Sequence, residues 1–246
     1  MCTILSLNIE GNRHFERVLP LIDDILPTVL CLMEAPSAIL PLLATRGYFT
    51  AFAPMCTDNP VAPGDVLGVV LATSVPHTST TTYYTSTYAR IVPHDKHDAH
   101  SKSYPLITAT IIYEGSPYTI ATTHLYDTSD GHENAEQTAS IDSLLVELQK
   151  LPPHVLCGDF NMPRGYNTNY ERFCDPYTDT IPATYTSSLD RTLHRAGNRT
   201  DLNAPIFDIY MVDYLFTQAP YIAQDVRLVF GVSDHAAVVA NVTSNI

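Results

Sequence analysis

PHVLCGDFNMPRG, residues Pro153 to Gly165, is the stretch on which the reading of the fold turns. Val155, Leu156 and Cys157 form a short apolar run bounded by Pro153 and Gly158, the pattern of a strand covered on both faces. Side chains two positions apart in extended chain project to the same side. The Asp159 carboxylate and the Asn161 amide therefore leave the strand together while Phe160 turns back toward the core. In helix-covered sheets ligands sit beyond the carboxyl ends of strands, where polar groups are free. Taken alone, Gly-Asp-x-Asn reads as an ordinary Asx turn closing a strand, and its weight comes from similar strand ends elsewhere.

Upstream, Glu133 to Lys150 carries apolar residues at Ala135, Ala139, Ile141, Leu144, Leu145 and Leu148, a helix feeding this strand. Tyr118 to Thr123 ends in Thr122-Thr123-His124 and pairs with Leu106 to Tyr113 across the hairpin signal Glu114-Gly115-Ser116-Pro117. The N-terminal segment repeats the theme. Thr3 to Leu7 is a strand delivering Asn8 and Glu10, His14 to Leu26 is a helix stopped by Pro27, and Thr28 to Met33 is a buried strand ending in Glu34. A short helix at Pro36 to Leu43 follows, then strands at Tyr48 to Ala53 and Val66 to Ala72 around a Pro-rich loop, and an edge strand or hairpin within Thr78 to Val92. Pro93 to Tyr104 is a polar loop. Tyr166 to Asn203 reads as loops with a short helix near Asn169 to Phe173. Strands at Ile206 to Phe216, Ile222 to Phe230 and Ala236 to Val242 close the chain, with Asp213 inside the first and Ser233-Asp234-His235 opening the last. Strands outnumber helices, so residues 1 to 75 and 120 to 245 read as two β-rich halves packed sheet on sheet with helices outside.

The chain of 246 residues is 45 % hydrophobic and 16 % charged, a globular composition that excludes disorder. A net charge of −13 argues against nonspecific duplex binding through a broad basic face. It does not exclude a polyanionic substrate, because a bound divalent cation reverses the local field at a carboxylate-rich site. Tryptophan is absent, but 15 Tyr and 8 Phe leave many ring platforms. The five cysteines at 2, 31, 56, 157 and 174 show no C-x-x-C spacing, and Cys31 and Cys157 lie in apolar strand runs, which points to a reducing, cytoplasmic setting. No apolar run approaches the ~20 residues a membrane helix needs, so no membrane insertion is expected. On this reading the sequons at Asn198 and Asn241 arise by chance. Without linker, repeat or low-complexity tract, residues 1 to 246 read as one domain, expected to be a monomer.

The polar residues at strand ends are Asn8, Glu10, Glu34, His124, Asp159, Asn161, Asp213, Asp234 and His235. Buried carboxylates without cation or donor are costly, so their convergence calls for a metal or histidine partners. An oxygen-rich set without thiolates suits Mg²⁺ or Mn²⁺ better than zinc.

This order of motifs resembles the endonuclease/exonuclease/phosphatase superfamily. The matching residues are Leu7-Asn8-Ile9-Glu10, Leu32-Met33-Glu34, Thr123-His124-Leu125, Gly158-Asp159-Phe160-Asn161, Val212-Asp213-Tyr214-Leu215-Phe216 and Ser233-Asp234-His235, spread over residues 3 to 242. The resemblance implies a four-layer α/β sandwich, two mixed β-sheets face to face with helices outside. It implies a divalent-metal-dependent phosphodiester hydrolase, first a nuclease or nucleic-acid end-processing enzyme acting on DNA or RNA, with a small or lipid-linked phosphate as the alternative and an inactive binding scaffold as a third reading. By the same resemblance Glu34 is the principal metal ligand, Asn8 and Asp234 support the cation, and Glu10 is either a ligand or a charge at a helix start. Asp159 positions or deprotonates the attacking water and Asn161 holds water or a phosphoryl oxygen. Asp213 orients His235, and His124 lies opposite as a donor. Two departures stand out: Met33 replaces a frequent Gln, and His124 lacks an obvious carboxylate partner, Asp65 being a weak candidate.

Outside these motifs, His94, His97 and His100 with Asp95 and Asp98 read as a solvated loop rather than a second metal site. Lys102 is the better phosphate contact there. Arg164 can grip a phosphate or pair with a surface acid. Tyr126 and Tyr166 can stack on a base, against the simpler reading of rim packing.

Overall fold

The computed structural model describes residues 1–85, 91–95, 97–128, 130–195 and 206–245. It contains two mixed six-stranded sheets. The first is built from β1 (Cys2–Asn8), β2 (Val29–Pro36), β3 (Phe49–Thr57), β4 (Val66–Thr73), β11 (Tyr221–Val229) and β12 (Ala237–Ser244) in the order β11-β12-β1-β2-β4-β3. The second holds β5 (His77–Thr85), β6 (Tyr104–Tyr113), β7 (Ser116–His124), β8 (Val155–Asp159), β9 (Thr178–Asp179) and β10 (Asp213–Thr217) in the order β5-β6-β7-β8-β10-β9. Helices are few: α1 (Phe15–Ile25), α2 (Ile39–Ala44), α3 (Ala135–Leu148), and single turns α4 (Glu171–Cys174) and α5 (Ile206–Ile209).

The strand period explains the layers. In β1, Leu5 and Leu7 pack with Val18 and Ile22 of α1, whereas Cys2 and Ile4 join the core between the sheets. Asn8 continues the inward set, so it faces the second sheet at the end of its strand. Asn134 caps α3 by accepting the Gln137 amide proton at 2.8 Å, and Ile141, Leu144 and Leu148 bury its apolar face. Both β1–β2 and β7–β8 are parallel pairs joined through a helix, which brings their carboxyl ends to one edge. There β10 runs antiparallel to β8 with Asp213 opposite Asp159, while His124 lies beside Asp159 in the β7–β8 register.

Three sequence expectations change. The sheets are not sequence halves: the last two strands return to flank β1, and β10 stays in the second sheet. The strand expected at Ile206 to Phe216 begins only at Asp213, after the helical turn α5. Gly158 does not bound β8 but lies inside it, because a Cβ there would meet the Thr123 carbonyl oxygen of β7 at 2.1 Å. The expected strand from Thr78 to Val92 is an edge strand to Thr85, and residues 86–90 lie outside the described residues, as does Asn198. Asn241 sits within β12, donating to Asp225 and accepting from Thr3. All five cysteines are free, and four of them are buried. Among the described residues no helix is long and apolar enough to cross a membrane.

Candidate active site

Where the two sheets meet at this edge, Asn8 donates from Nδ2 to Asp159 Oδ2 at 3.0 Å, a bond between sheets. Asp159 Oδ1 accepts the Asn161 amide proton at 3.0 Å, closing an Asx turn that holds Asn161 at φ 49°. Glu10 and Glu34 share that left-handed conformation, at 48° and 49°. Leu26, Asp58, Glu114 and Asp225 adopt it elsewhere, so the conformation shapes these three strand ends without marking the site by itself. Phe160 turns inward, packed edge-on against Phe173 and Phe216 at 5.3 Å each.

His235 donates from Nδ1 to Asp213 Oδ2 at 2.7 Å, and Asp159 Oδ2 lies 3.9 Å from the same nitrogen. Burial alone would lower the His235 pKa, yet the Asp213 and Asp159 carboxylates outweigh it and hold the imidazole well above its ordinary 6.5. Ser188 donates to the same Asp213 oxygen at 2.6 Å. The serine is a residue the motifs do not reveal, since it comes from an irregular stretch without periodicity. His124 lies 3.6 Å from Asp159 Oδ2 through Nε2 and receives Asn161 Nδ2 at 3.3 Å. Burial pushes its pKa down to about 4, so it is neutral at pH 7, and its buried Nδ1 has no hydrogen-bond partner.

Burial likewise raises the carboxyl pKa values of Glu34, Asp159 and Asp234. Glu34 makes no hydrogen bond or ion pair with any described residue, although the Ile9 and Gly11 amides hold the backbone carbonyls of Met33 and Glu34 at 3.0 Å. A half-buried carboxylate without a hydrogen-bond donor, with Asp159 and Asp234 close enough to raise or share its charge, suits a hard divalent cation. Glu34 would hold such a metal, with Asn8 and Asp234 as the further candidate ligands. Of the two readings of Glu10, a ligand or a charge at a helix start, its contacts favour the second. Its Oε1 accepts from Arg13 at 3.0 Å and Arg195 at 2.6 Å, and its Oε2 pairs with His14 Nε2 at 3.0 Å. Glu10, His14 and Asp234 do bring ligand atoms within 4.8 Å of one another, but two guanidinium groups on Glu10 oppose a cation there.

Lys102 reaches the site from the polar loop, 3.5 Å from Asp127 Oδ1. Burial alone would depress its ammonium, but Asp127 and Glu34 outweigh it and keep it charged. Asp127, three residues past His124, is the acid on this side, and the Lys102 charge holds its pKa down. Asp65 is elsewhere, accepting from Ser37 and from the Ala38 amide at 3.0 Å. Arg164 also leaves the site: its guanidinium binds Asp179 at 2.8 Å and the carbonyls of Ile181, Pro182 and Tyr185. Tyr126 is half-buried near Tyr104, ring centroids 5.9 Å apart. Met33 fills its place between the sheets, with the Thr122 hydroxyl 4.0 Å from its sulfur. The loop aspartates Asp95 and Asp98 cap the amides of His97 and His100 at 2.9 Å, and among the described residues this loop gathers no metal-ligand cluster.

The family model described as Endonuclease/Exonuclease/phosphatase family matches residues 5–235. A search of curated proteins gives no match. Solved structures share the fold at low identity. An endonuclease/exonuclease/phosphatase protein from Beutenbergia cavernae DSM 12333 has a TM-score of 0.70 at 19% identity, covering 99% of this chain and 71% of that one. The human Nocturnin catalytic domain with bound sulfate anion has 0.69 at 19%, covering 98% and 93%. D. rerio TDP2 complexed with single strand DNA product has 0.70 at 15%, covering 99% of each. With the motif residues gathered at one edge of a paired-sheet sandwich and the family model spanning nearly the whole chain, the protein belongs to the endonuclease/exonuclease/phosphatase family.

Proposed function

We propose that the protein is a divalent-metal-dependent phosphodiester hydrolase that acts on a nucleic-acid strand, using Mg²⁺ or Mn²⁺. The observation that carries this reading is the half-buried Glu34, without a hydrogen-bond donor among the described residues, whose charge interacts with Asp159 and His235 of the Asn8–Asp159 and Asp213–His235 pairs. A bound cation supplies charge neutralisation at the phosphoryl oxygens. Asp159 takes a proton from the attacking water, helped by burial and by the Asp213 charge, which make it a stronger base. His235, held cationic by Asp213, donates from Nε2 to a phosphoryl oxygen as charge accumulates. His124, whose Nε2 lies 3.6 Å from Asp159 Oδ2 and beside Asn161 Nδ2, is the donor opposite His235, and Lys102 and Tyr126 supply a charge and a ring at the substrate rim. The single-strand DNA product named in the TDP2 structure favours a nucleic-acid strand.

Asp159→Asn is expected to lose at least ~100-fold in hydrolysis of oligonucleotides while calorimetry still registers Mg²⁺ binding. A variant as active as wild type overturns the reading. The net charge of −13 favours the second reading, a small or lipid-linked phosphate. A panel of oligonucleotides, nucleotides, sphingomyelin and inositol phosphates separates the two.

A further inference from the structure

Beyond the catalytic edge, one cavity of about 220 Å³ lies against the turn that follows Asn161. Its walls include Tyr166, Tyr185, Ile209 and Met211, with Asp208 at the lining. Tyr166 is 37% exposed and Ile209 38%, so the apolar surface is open to solvent. The rings form a stair: the exposed His132 stacks on Tyr166 at 4.1 Å and 27°, and Tyr210 follows Tyr166 at 6.2 Å. The three rings come from the segments after β7, after β8 and before β10, the same strand ends that carry His124, Asp159 and Asp213.

The stair is tied to the catalytic turn. Tyr166 stands in the turn closed by the Tyr166 and Asn167 amides on the Pro163 carbonyl, five positions past Asn161, a span of at most about 17 Å. Asn167 Nδ2 donates at 2.8 Å to Gln137 Oε1, and Gln137 Nε2 donates at 2.9 Å to the Asn161 carbonyl. Tyr166 is therefore positioned by the same network that positions Asn161.

The chemistry of this cavity excludes a phosphate. Its one lining cation, Arg164, has its guanidinium committed to Asp179 and three carbonyls, and Asp208 at the lining is paired through Oδ1 with the Arg191 guanidinium at 3.3 Å. What fits is a flat, uncharged ring bearing N–H donors, because the aromatic faces stack on it and the second Asp208 oxygen, Oδ2, accepts from an exocyclic amine. The geometry points to a nucleobase subsite, in which an unpaired base of the strand next to the scissile phosphate stacks on Tyr166. This inference rests on the nucleic-acid reading of the active site and names the part of the substrate that this cavity takes.

The test is fluorescence anisotropy of labelled single-stranded oligonucleotides in EDTA, where no cleavage occurs, comparing a base-bearing strand with an abasic strand of equal length. Wild type is expected to bind the base-bearing strand about tenfold tighter. Tyr166→Ala should erase that gap, and Tyr166→Phe should keep it. In Mg²⁺, Tyr166→Ala should raise KM for the base-bearing strand by a larger factor than for the abasic strand. Equal binding of both strands by wild type, or a gap that survives in Tyr166→Ala, overturns the subsite. A gap that disappears in Tyr166→Ala, in a protein that hydrolyses no phosphodiester, sustains the subsite and overturns the catalytic reading. Displacement of the strand by a nucleoside monophosphate at equal affinity overturns the strand as occupant.

Discussion

Asp213 carries the His235 imidazole and the Ser188 hydroxyl on a single oxygen, and its buried Oδ1 has no partner. The His235 charge therefore depends on one carboxylate more than on any other neighbour. Asp213→Asn removes the largest influence raising the His235 pKa and leaves burial opposed only by Asp159 and Asp234, so the imidazole loses its proton at lower pH. Wild-type kcat is expected to hold through neutrality and fall on the alkaline side, where His235 loses its proton. In Asp213→Asn that limb moves to lower pH, and kcat at pH 7 falls by about 100-fold. A kcat profile whose alkaline limb stays in place in the variant would contradict the assignment. The strand-end residues were legible because a period of two and a stop signal place them on one rim. Glu10 was not. Its partners Arg13 and Arg195 lie 3 and 185 positions away, and a contact across 185 positions leaves no local trace. Ser188 escaped for the same reason, lying in the aperiodic stretch before α5.

The elements that hold these residues are bound by buried polar groups more than by loops alone. Gln137, fully buried in the first turn of α3, donates to the carbonyls of Tyr126 and Asn161 and accepts from Asn167. Replacing it with leucine takes the side-chain donor from the Tyr126 and Asn161 carbonyls and leaves Asn167 Nδ2 with the Gly131 carbonyl. Gln137→Leu is expected to cost about 2–3 kcal/mol in a denaturant titration and to lower kcat more than it changes metal affinity. An unchanged midpoint with unchanged kcat would deny the coupling. Helix α3 was readable from its apolar spacing, but the burial of Gln137 was not, because periodicity weighs polarity and not destination. The missed start of β10 has a related cause. Ile206-Phe207 and Met211-Val212 form an apolar stretch whether the chain coils or extends, and a run that short does not distinguish a helical turn from a strand.

At the scale of the whole molecule, the raised acids Glu34, Asp159 and Asp234 repel one another and resist dehydration, so a cation that neutralises them stabilises the fold. Adding Mn²⁺ at 100 times its dissociation constant is expected to stabilise the protein by about 2.7 kcal/mol, read as a rise in Tm. Glu34→Gln should abolish that rise while melting no lower than wild type in EDTA, since it removes one of the crowded charges. A Mn²⁺-dependent rise preserved in Glu34→Gln would move the metal elsewhere. The paired sheets were legible in kind, as alternating strands with flanking helices, but not in membership. No local pattern reveals that β11 and β12 return beside β1, because strand partners are chosen by packing over the full length of the chain.

That return has a consequence for synthesis. Asp234 and His235 stand only just ahead of β12, the strand that pairs with β1 and fills the middle of the first sheet. A polypeptide emerging from the ribosome therefore lacks both the His235 imidazole and a central partner for its opening strand until the residues of β12 have been made.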